Sequence, residues 1–229
     1  MSQPDLPCFC INLDEREDKW ANTIVAFEKT GIRPKRFSAI RHSEGWRGCG
    51  ASHLAIAREA IRQGLPWVLI VEDDCLPTPE FSKQWPTVKE ALWKERDAWD
   101  IFLGGPTYVE GPVKVHKYPL FEIGQGFALH FYVLHATAYE KALAWNPDRH
   151  GPIDVYYSNI YRIVTTYPFL ATQQPSLSDI KKEQTNYTDI FHDADISFQK
   201  LIYSHRTRDT SIVLVCLSLI ALAAFWKKR

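Results

Sequence analysis

The sequence has no excess of charge of either sign, with Lys plus Arg and Asp plus Glu both at 27. Without a basic field it has no broad attraction for nucleic acid, and without an acidic tail it offers no bulk electrostatic lure, so local sites must supply any specificity. It also lacks a cysteine framework: Cys8, Cys10, Cys49, Cys75 and Cys216 are odd in number and mostly sit in apolar segments. None of them forms a two-pair zinc pattern, and free buried thiols in a reducing compartment are the simplest account. Met1–Asp5 is not a basic region leading into an apolar run, so no secretory signal is expected. No internal repeat or low-complexity linker interrupts the first 145 residues. Disorder is excluded by a 45% hydrophobic and 13% aromatic content, which lets 229 residues bury a substantial core in one domain, or in two.

The chain is organised around Trp67–Pro77, WVLIVEDDCLP. Branched apolar residues bounded by Gly64 and Pro66 before and by Pro77 and Pro79 after predict a short, fully buried strand, as in a parallel sheet. Three acids then stand in a row. Adjacent carboxylates at the end of a buried strand raise one another's pKa, a cost that a divalent cation or several hydrogen-bond donors would offset. Alternation in an extended segment puts Glu72 and Asp74 on one side of the chain and Asp73 on the other. Ligands of open α/β sheets sit at the carboxyl ends of the strands, where these acids are. A solvated acidic turn after a core strand is equally compatible with an isolated E-D-D.

In chain order, Cys8–Ile11 predicts the first core strand, with Asn12–Arg16 carrying polar groups off its end. Trp20, Ile24 and Phe27 recur at helical spacing, and Gly31 with Pro34 closes that helix. Arg36–Ile40 predicts a second strand. Gly48–His53 leads into an Ala-rich helix over Leu54–Ile61, so that a glycine pair and Ser52 at its start would present backbone N–H groups to an anion such as a diphosphate. Ser52 as a simple cap and His53 as a capping or packed histidine are the plainer alternatives. Phe81–Trp99 reads as a helix and Asp100–Gly105 as another core strand running into a glycine turn. Strand and helix alternate throughout this half, which predicts an α/β layered fold with a mostly parallel central sheet. Val113–Tyr118 and Phe127–Leu134 read as further strands, Ala136–Trp145 as a helix, and Gly151–Asp154 as a rigid turn carrying one carboxylate.

Six segments in this order resemble glycosyltransferase family 25: INLDEREDKW at Ile11–Trp20, GCGASHL at Gly48–Leu54, LIVEDD at Leu69–Asp74, DIFLG at Asp100–Gly104, PID at Pro152–Asp154 and SDI at Ser178–Ile180. The match spans roughly residues 7 to 182, and co-linear motifs are more specific than any one of them. The resemblance implies a GT-A-like nucleotide-binding sandwich and an inverting transfer of galactose or glucose from a UDP-sugar donor to a glycan, glycoprotein or lipid-linked acceptor. It also implies an acidic motif that holds manganese.

The chemistry of the residues agrees with that. Departure of the diphosphate builds negative charge on its oxygens, which a divalent ion stabilises as a Lewis acid. Asp74 is the expected direct ligand of manganese or magnesium, with Glu72 assisting through water, while Asp73 would reach the ribose. The resemblance places Asn12, Arg16 and His53 on the nucleotide side, and Ser52 joins them as an anion contact. Asp154 is the expected base that takes the acceptor proton, with Asp179 as the alternative. An Asp bonding its own turn backbone is the bland reading of Asp154. His130 could complete a metal shell. Lys19 stands where the family often has arginine.

The C-terminus differs in kind. Ile212–Trp226 is uncharged, preceded by His205–Arg208 and followed by Lys227–Arg229. With Thr210 and Ser211, a helix at ~1.5 Å per residue reaches about 25 Å, the lower limit for spanning a bilayer. A core helix would be hydrophobic all round and end in three cations, so a tail anchor is favoured. The expected organisation is a catalytic domain over residues 1–189, a polar stalk over 190–209 and a membrane anchor over 210–229, with the catalytic domain in the cytoplasm. The rival reading is a non-catalytic GT-A-like membrane scaffold that binds a nucleotide or glycan.

Overall fold

A computed structural model of the chain describes residues 3–111, 114–115, 119–174, 176–177, 184–185 and 188–204. The first half alternates as its sequence predicts: β1 (Cys8–Asn12), α1 (Glu17–Phe27), β2 (Lys35–Ser38), α2 (Gly45–Arg62), β3 (Trp67–Glu72), β4 (Cys75–Pro77), α3 (Phe81–Lys94) and β5 (Ile101–Leu103). The second half adds β6 (Tyr108–Glu110), β7 (Lys114–Val115), β8 (Leu120–Ile123), β9 (Gln125–Phe127), β10 (Phe131–His135), α4 (Ala136–Leu143), α5 (Pro147–His150), α6 (Ile153–Ile160), β11 (Ile163–Thr166) and β12 (Ala171–Gln173).

Eight strands form the central sheet in the order β2-β1-β3-β10-β5-β11-β8-β7. β1 runs parallel to β2 and β3, and β5 parallel to β11. Only β10 and β8 oppose their neighbours in this sheet, so it is mixed but mostly parallel. β10 inserts between β3 and β5 because its residues Phe131–Leu134 are apolar on both sides and wholly buried. Alternation along β3 feeds two cores: Val68 and Ile70 pack on one face with α2, α4 and α6, and Trp67, Leu69 and Val71 on the other with α3 and Phe27 of α1. The chain therefore leaves β1 through α1 on one face and returns to β3 through α2 on the opposite face. That reversal makes the carboxyl ends of β1 and β3 a topological switch point, the place where open α/β sheets form a crevice.

Several boundaries differ from the sequence reading. α2 begins at Gly45, so Gly48–His53 lies inside the helix rather than at its start. The two glycines serve packing. A Cβ on Gly48 would come within 2.4 Å of the Ile40 carbonyl oxygen, and one on Gly50 within 2.4 Å of the Trp145 ring. The strand expected over Phe127–Leu134 is broken because Ala128 adopts φ 81°, which ends β9 and lets β10 start afresh at Phe131. α3 stops at Lys94 rather than reaching Trp99, whose indole N–H donates to the Leu92 carbonyl.

Asp100, read as the first residue of a strand, is a clamp. Its side chain is 3% exposed and accepts from the Arg162 guanidinium at 2.9 Å and from Thr137 at 3.2 Å, with Lys141 3.4 Å away, tying β5 to β11 and α4.

The segment expected to be a stalk is helical from 188 through 204. It buries Phe191, Ala194, Phe198 and Ile202, the last three in the core that faces α2. Among the described residues no helix is long and apolar enough to cross a membrane. The expected anchor over 210–229 and Asp179 lie outside the described residues.

Candidate functional site

The switch point is sealed from below by a hydrogen bond between the ends of its two strands. Asn12 Nδ2 of β1 donates to Asp73 Oδ2 at 2.7 Å, just past β3, and to the Arg16 carbonyl at 3.1 Å. Asn12 Oδ1 accepts from Arg36 Nε at 2.7 Å. Asp73 faces α1, where Lys19 Nζ lies 3.3 Å from its Oδ1 and Thr23 donates to its backbone carbonyl. Burial raises the Asp73 carboxyl above its ordinary range, with Lys19 and Asn12 opposing the rise. Asn12 is 1% exposed, and its side chain is taken up by Asp73, Arg36 and the turn Leu13–Arg16 rather than open to a nucleotide as expected.

Glu72 points the other way, as strand alternation requires, and meets α2. His53 Nε2 is 3.3 Å from Glu72 Oε1, and Cys49 Sγ donates to the same oxygen at 3.8 Å. His53 Nδ1 in turn lies 2.9 Å from the Tyr132 hydroxyl of β10. Burial pushes the Glu72 carboxyl up, but the His53 contact and the nearby imidazoles outweigh it and hold it below its usual value. The Cys49 thiol is pushed well up by burial and by the charges of Glu72 and Asp154.

Asp74 leaves the strand at the turn into β4, where Gln173 Nε2 of β12 sits 3.3 Å from both carboxylate oxygens. The Gln174 N–H donates to the Asp74 carbonyl at 2.8 Å. Burial, then the charges of Glu72 and Asp73, push the Asp74 carboxyl up to about 7. Asp154 occupies the first turn of α6, where its Oδ1 accepts from the Val155 N–H at 2.9 Å. Its carboxyl is raised by burial, with Glu72 adding to the rise and the Val155 and Ala128 N–H groups opposing it. Glu72 thus acts on both Asp74 and Asp154, and the three carboxyls share one electrostatic environment above the switch point.

Of the other residues singled out in the sequence, Ser52 is fully buried in the middle of α2. It donates to the Gly48 carbonyl and accepts from the Ile40 N–H, both at 2.8 Å, so it locks the loop after β2 onto the helix and presents nothing to an anion at a helix start. Arg16 is half-buried at the N-cap of α1 and paired with Asp18 at 2.9 Å. His130 is fully buried against the Phe191 ring, and burial lowers its pKa to about 4. Neither of its ring nitrogens has a hydrogen-bond partner among the described residues.

Three participants were missed from the sequence. Cys49 carried a signal, its four-residue spacing to His53, which places both on one face of a helix once that helix is known to start at Gly45. Tyr132 and Gln173 carried none, because only the pairing of β10 with β3 and of β12 with β4 brings them in.

No protein-family model matches the chain. No curated protein matches it. The likeness to glycosyltransferase family 25 therefore rests on the six motifs alone. Solved structures with similar architecture include A197 from STIV, at 12% identity and a TM-score of 0.48 over 76% of this chain and 87% of that one. A glycosyltransferase involved in glycosylation of the major capsid of PBCV-1 gives 13% identity and a TM-score of 0.42, over 65% and 69%. UDP-glucose pyrophosphorylase complexed with UDP-glucose gives 11% and 0.46, over 85% and 81%.

Proposed function

We propose that the chain is a GT-A-like glycosyltransferase that moves a hexose from a UDP-sugar to a hydroxyl acceptor. The observation that carries this reading is the run Glu72, Asp73 and Asp74 at the carboxyl end of β3, beside β1 at the switch point, where burial and the neighbouring charges push the Asp74 carboxyl up. A carboxylate pair crowded in this way at a switch-point crevice fits a divalent ion, because a cation removes the repulsion that raises the pKa. Asp74 would hold it, with Glu72 assisting through water. When bound, manganese or magnesium would supply Lewis-acid stabilisation of the diphosphate leaving group.

The chain's own groups do the rest. Asp154, with its carboxyl raised and its place in the first turn of α6, takes the proton of the acceptor hydroxyl. Arg16 is the donor-side cation. Asn12 and Asp73 are positioning residues that fix the turn from which Arg16 projects, and Ser52 and His53 hold α2 against the sheet. The tail over 210–229, uncharged from Ile212 to Trp226 and ending in three cations, tethers the domain to a membrane, which co-flotation of the full chain with phosphatidylcholine vesicles tests.

The deciding experiment follows UDP release by the full chain from a panel of UDP-sugars, with manganese or with chelator, beside Asp74→Ala. Manganese-dependent release from one sugar, lost in Asp74→Ala, supports the transferase. A folded protein that binds a UDP-sugar without ever cleaving or transferring it leaves the non-catalytic scaffold.

A further inference from the structure

We infer that Cys49, His53 and Glu72 form a second metal site, on the α2 face of the sheet, that takes a zinc-class ion rather than manganese or magnesium. Cys49 and His53 lie four residues apart on α2 and so share one face of the helix. That face meets the end of β3, where the three donor atoms Sγ, Nε2 and Oε1 all lie within 4.8 Å of one another. The individual spacings are 3.8 Å from Sγ to Oε1 and 3.3 Å from Nε2 to Oε1. A tetrahedral ion with bonds of about 2.0 Å to nitrogen and oxygen and about 2.3 Å to sulfur requires edges of about 3.3 Å between N and O and about 3.5 Å between S and O. The protein holds both edges to Oε1 close to that spacing already, with the donors on a helix and at a strand end.

The surroundings suit the ion as well. A metal-bound histidine is oriented by a partner on its other ring nitrogen, and the buried Tyr132 hydroxyl stands 2.9 Å from His53 Nδ1. With Nε2 on the metal, Nδ1–H donates to the Tyr132 oxygen. The Cys49 thiol releases its proton to solvent as the sulfur–metal bond forms, and thiolate plus carboxylate then balance a divalent charge. A donor set of one thiolate, one imidazole and one carboxylate selects zinc over the oxygen-seeking ions. Three protein ligands leave a fourth position for water. Both contacts use Oε1 of Glu72, and the site does not depend on the transferase reading.

The test titrates the metal-free full chain with Co2+, whose spectrum reports ligand type rather than turnover. The expected result is one bound equivalent with a near-ultraviolet sulfur-to-cobalt charge-transfer band, bleached by Zn2+ and unaffected by about a hundredfold excess of Mn2+ or Mg2+. The band should vanish in Cys49→Ser and persist in Cys75→Ser. Zinc-edge X-ray absorption of the unmutated chain should show one sulfur at about 2.3 Å with nitrogen and oxygen at about 2.0 Å, a readout that stands even if Cys49→Ser does not fold. Absence of the band, its survival in a folded Cys49→Ser, or a zinc shell without sulfur would overturn the inference.

Discussion

Glu72 and Asp73 are neighbours in sequence and are bound to helices on opposite faces of the sheet. Glu72 Oε1 lies 3.3 Å from His53 Nε2 on α2, and Asp73 Oδ1 lies 3.3 Å from Lys19 Nζ on α1. One peptide bond thus anchors the two helical layers at the same point. This divides the acids by contact, since Asp73 fastens α1 to the strand end, Glu72 meets α2 through His53, and Asp74 meets Gln173 of β12.

Lys19 is paired with Asp73 on that face, and both are largely buried, with side chains 10% and 14% exposed. Replacing Lys19 by Met leaves a buried carboxylate without its cation. The expected cost is about 3–5 kcal/mol, read as a fall in the urea midpoint. An unchanged midpoint would mean that Asp73 is held by Asn12 alone.

Asp100 gives a pH prediction whose sign is fixed. Its carboxyl is pushed upward by burial, but the Arg162 bonds outweigh that and hold it at about 2, below its ordinary value. A depressed carboxylate stabilises the fold above its unfolded pKa and loses that contribution as pH falls through the folded value. Stability of the unmutated protein should therefore decline between about pH 4 and pH 2 by more than that of Asp100→Asn. At neutral pH, Asp100→Asn should be less stable by about 2 kcal/mol, a figure kept modest because Arg162 and Lys141 are half exposed.

Gly48→Ala separates packing from anion binding. Alanine ordinarily favours a helix interior by up to ~1 kcal/mol over glycine, yet here its methyl meets the Ile40 carbonyl oxygen at 2.4 Å. The loop that Ser52 ties down must shift, and the expected result is a net loss of about 1–3 kcal/mol in denaturation. A stabilised variant would show that the loop after β2 gives way freely.

Asp154→Asn tests the proposed base. Removing a positioned base costs about 10²–10⁴ in kcat, while UDP-sugar binding measured by calorimetry should be unchanged. Because the Asp154 carboxyl is raised, the unmutated rate should climb with pH on an acid limb lying above the ordinary aspartate value of 3.8. Equal loss of rate in Asp154→Asn and in an unfolding control would remove Asp154 from the chemistry.

Much of this arrangement was legible in the chain because strand alternation is a local rule. The period of two in Trp67–Glu72 is enough to separate Glu72 from Asp73 and to place both at a strand end. The start of α2 was not legible, since Gly48 and Gly50 look like a turn until Ile40 and Trp145 are packed against them. The Tyr132 end of the His53 relay was equally hidden, because it depends on an antiparallel strand inserted between parallel ones, a long-range pairing that no local pattern encodes. Asp100 was read only as the start of a core strand, and its clamp on Arg162 and Thr137 was hidden because those partners come from β11 and α4.

Residues 190–209 were read as a polar stalk leading to the expected anchor, but within the described helix over 188–204 a few apolar positions face one way. Phe191, Ala194, Phe198 and Ile202 recur at three- and four-residue spacing and form a single stripe. Phe198 is fully buried, stacked on Phe169 at 5.6 Å between ring centroids and edge-on to Phe121. Its truncation in Phe198→Ala should destabilise the domain by about 3–5 kcal/mol. The same substitution at Tyr203, 70% exposed on this helix, should cost less than about 0.5 kcal/mol. A stalk merely leading away from the domain would give both variants the same midpoint in urea. Unequal midpoints would make this helix part of the folded unit, so that removing it removes part of the core on the α2 side of the sheet.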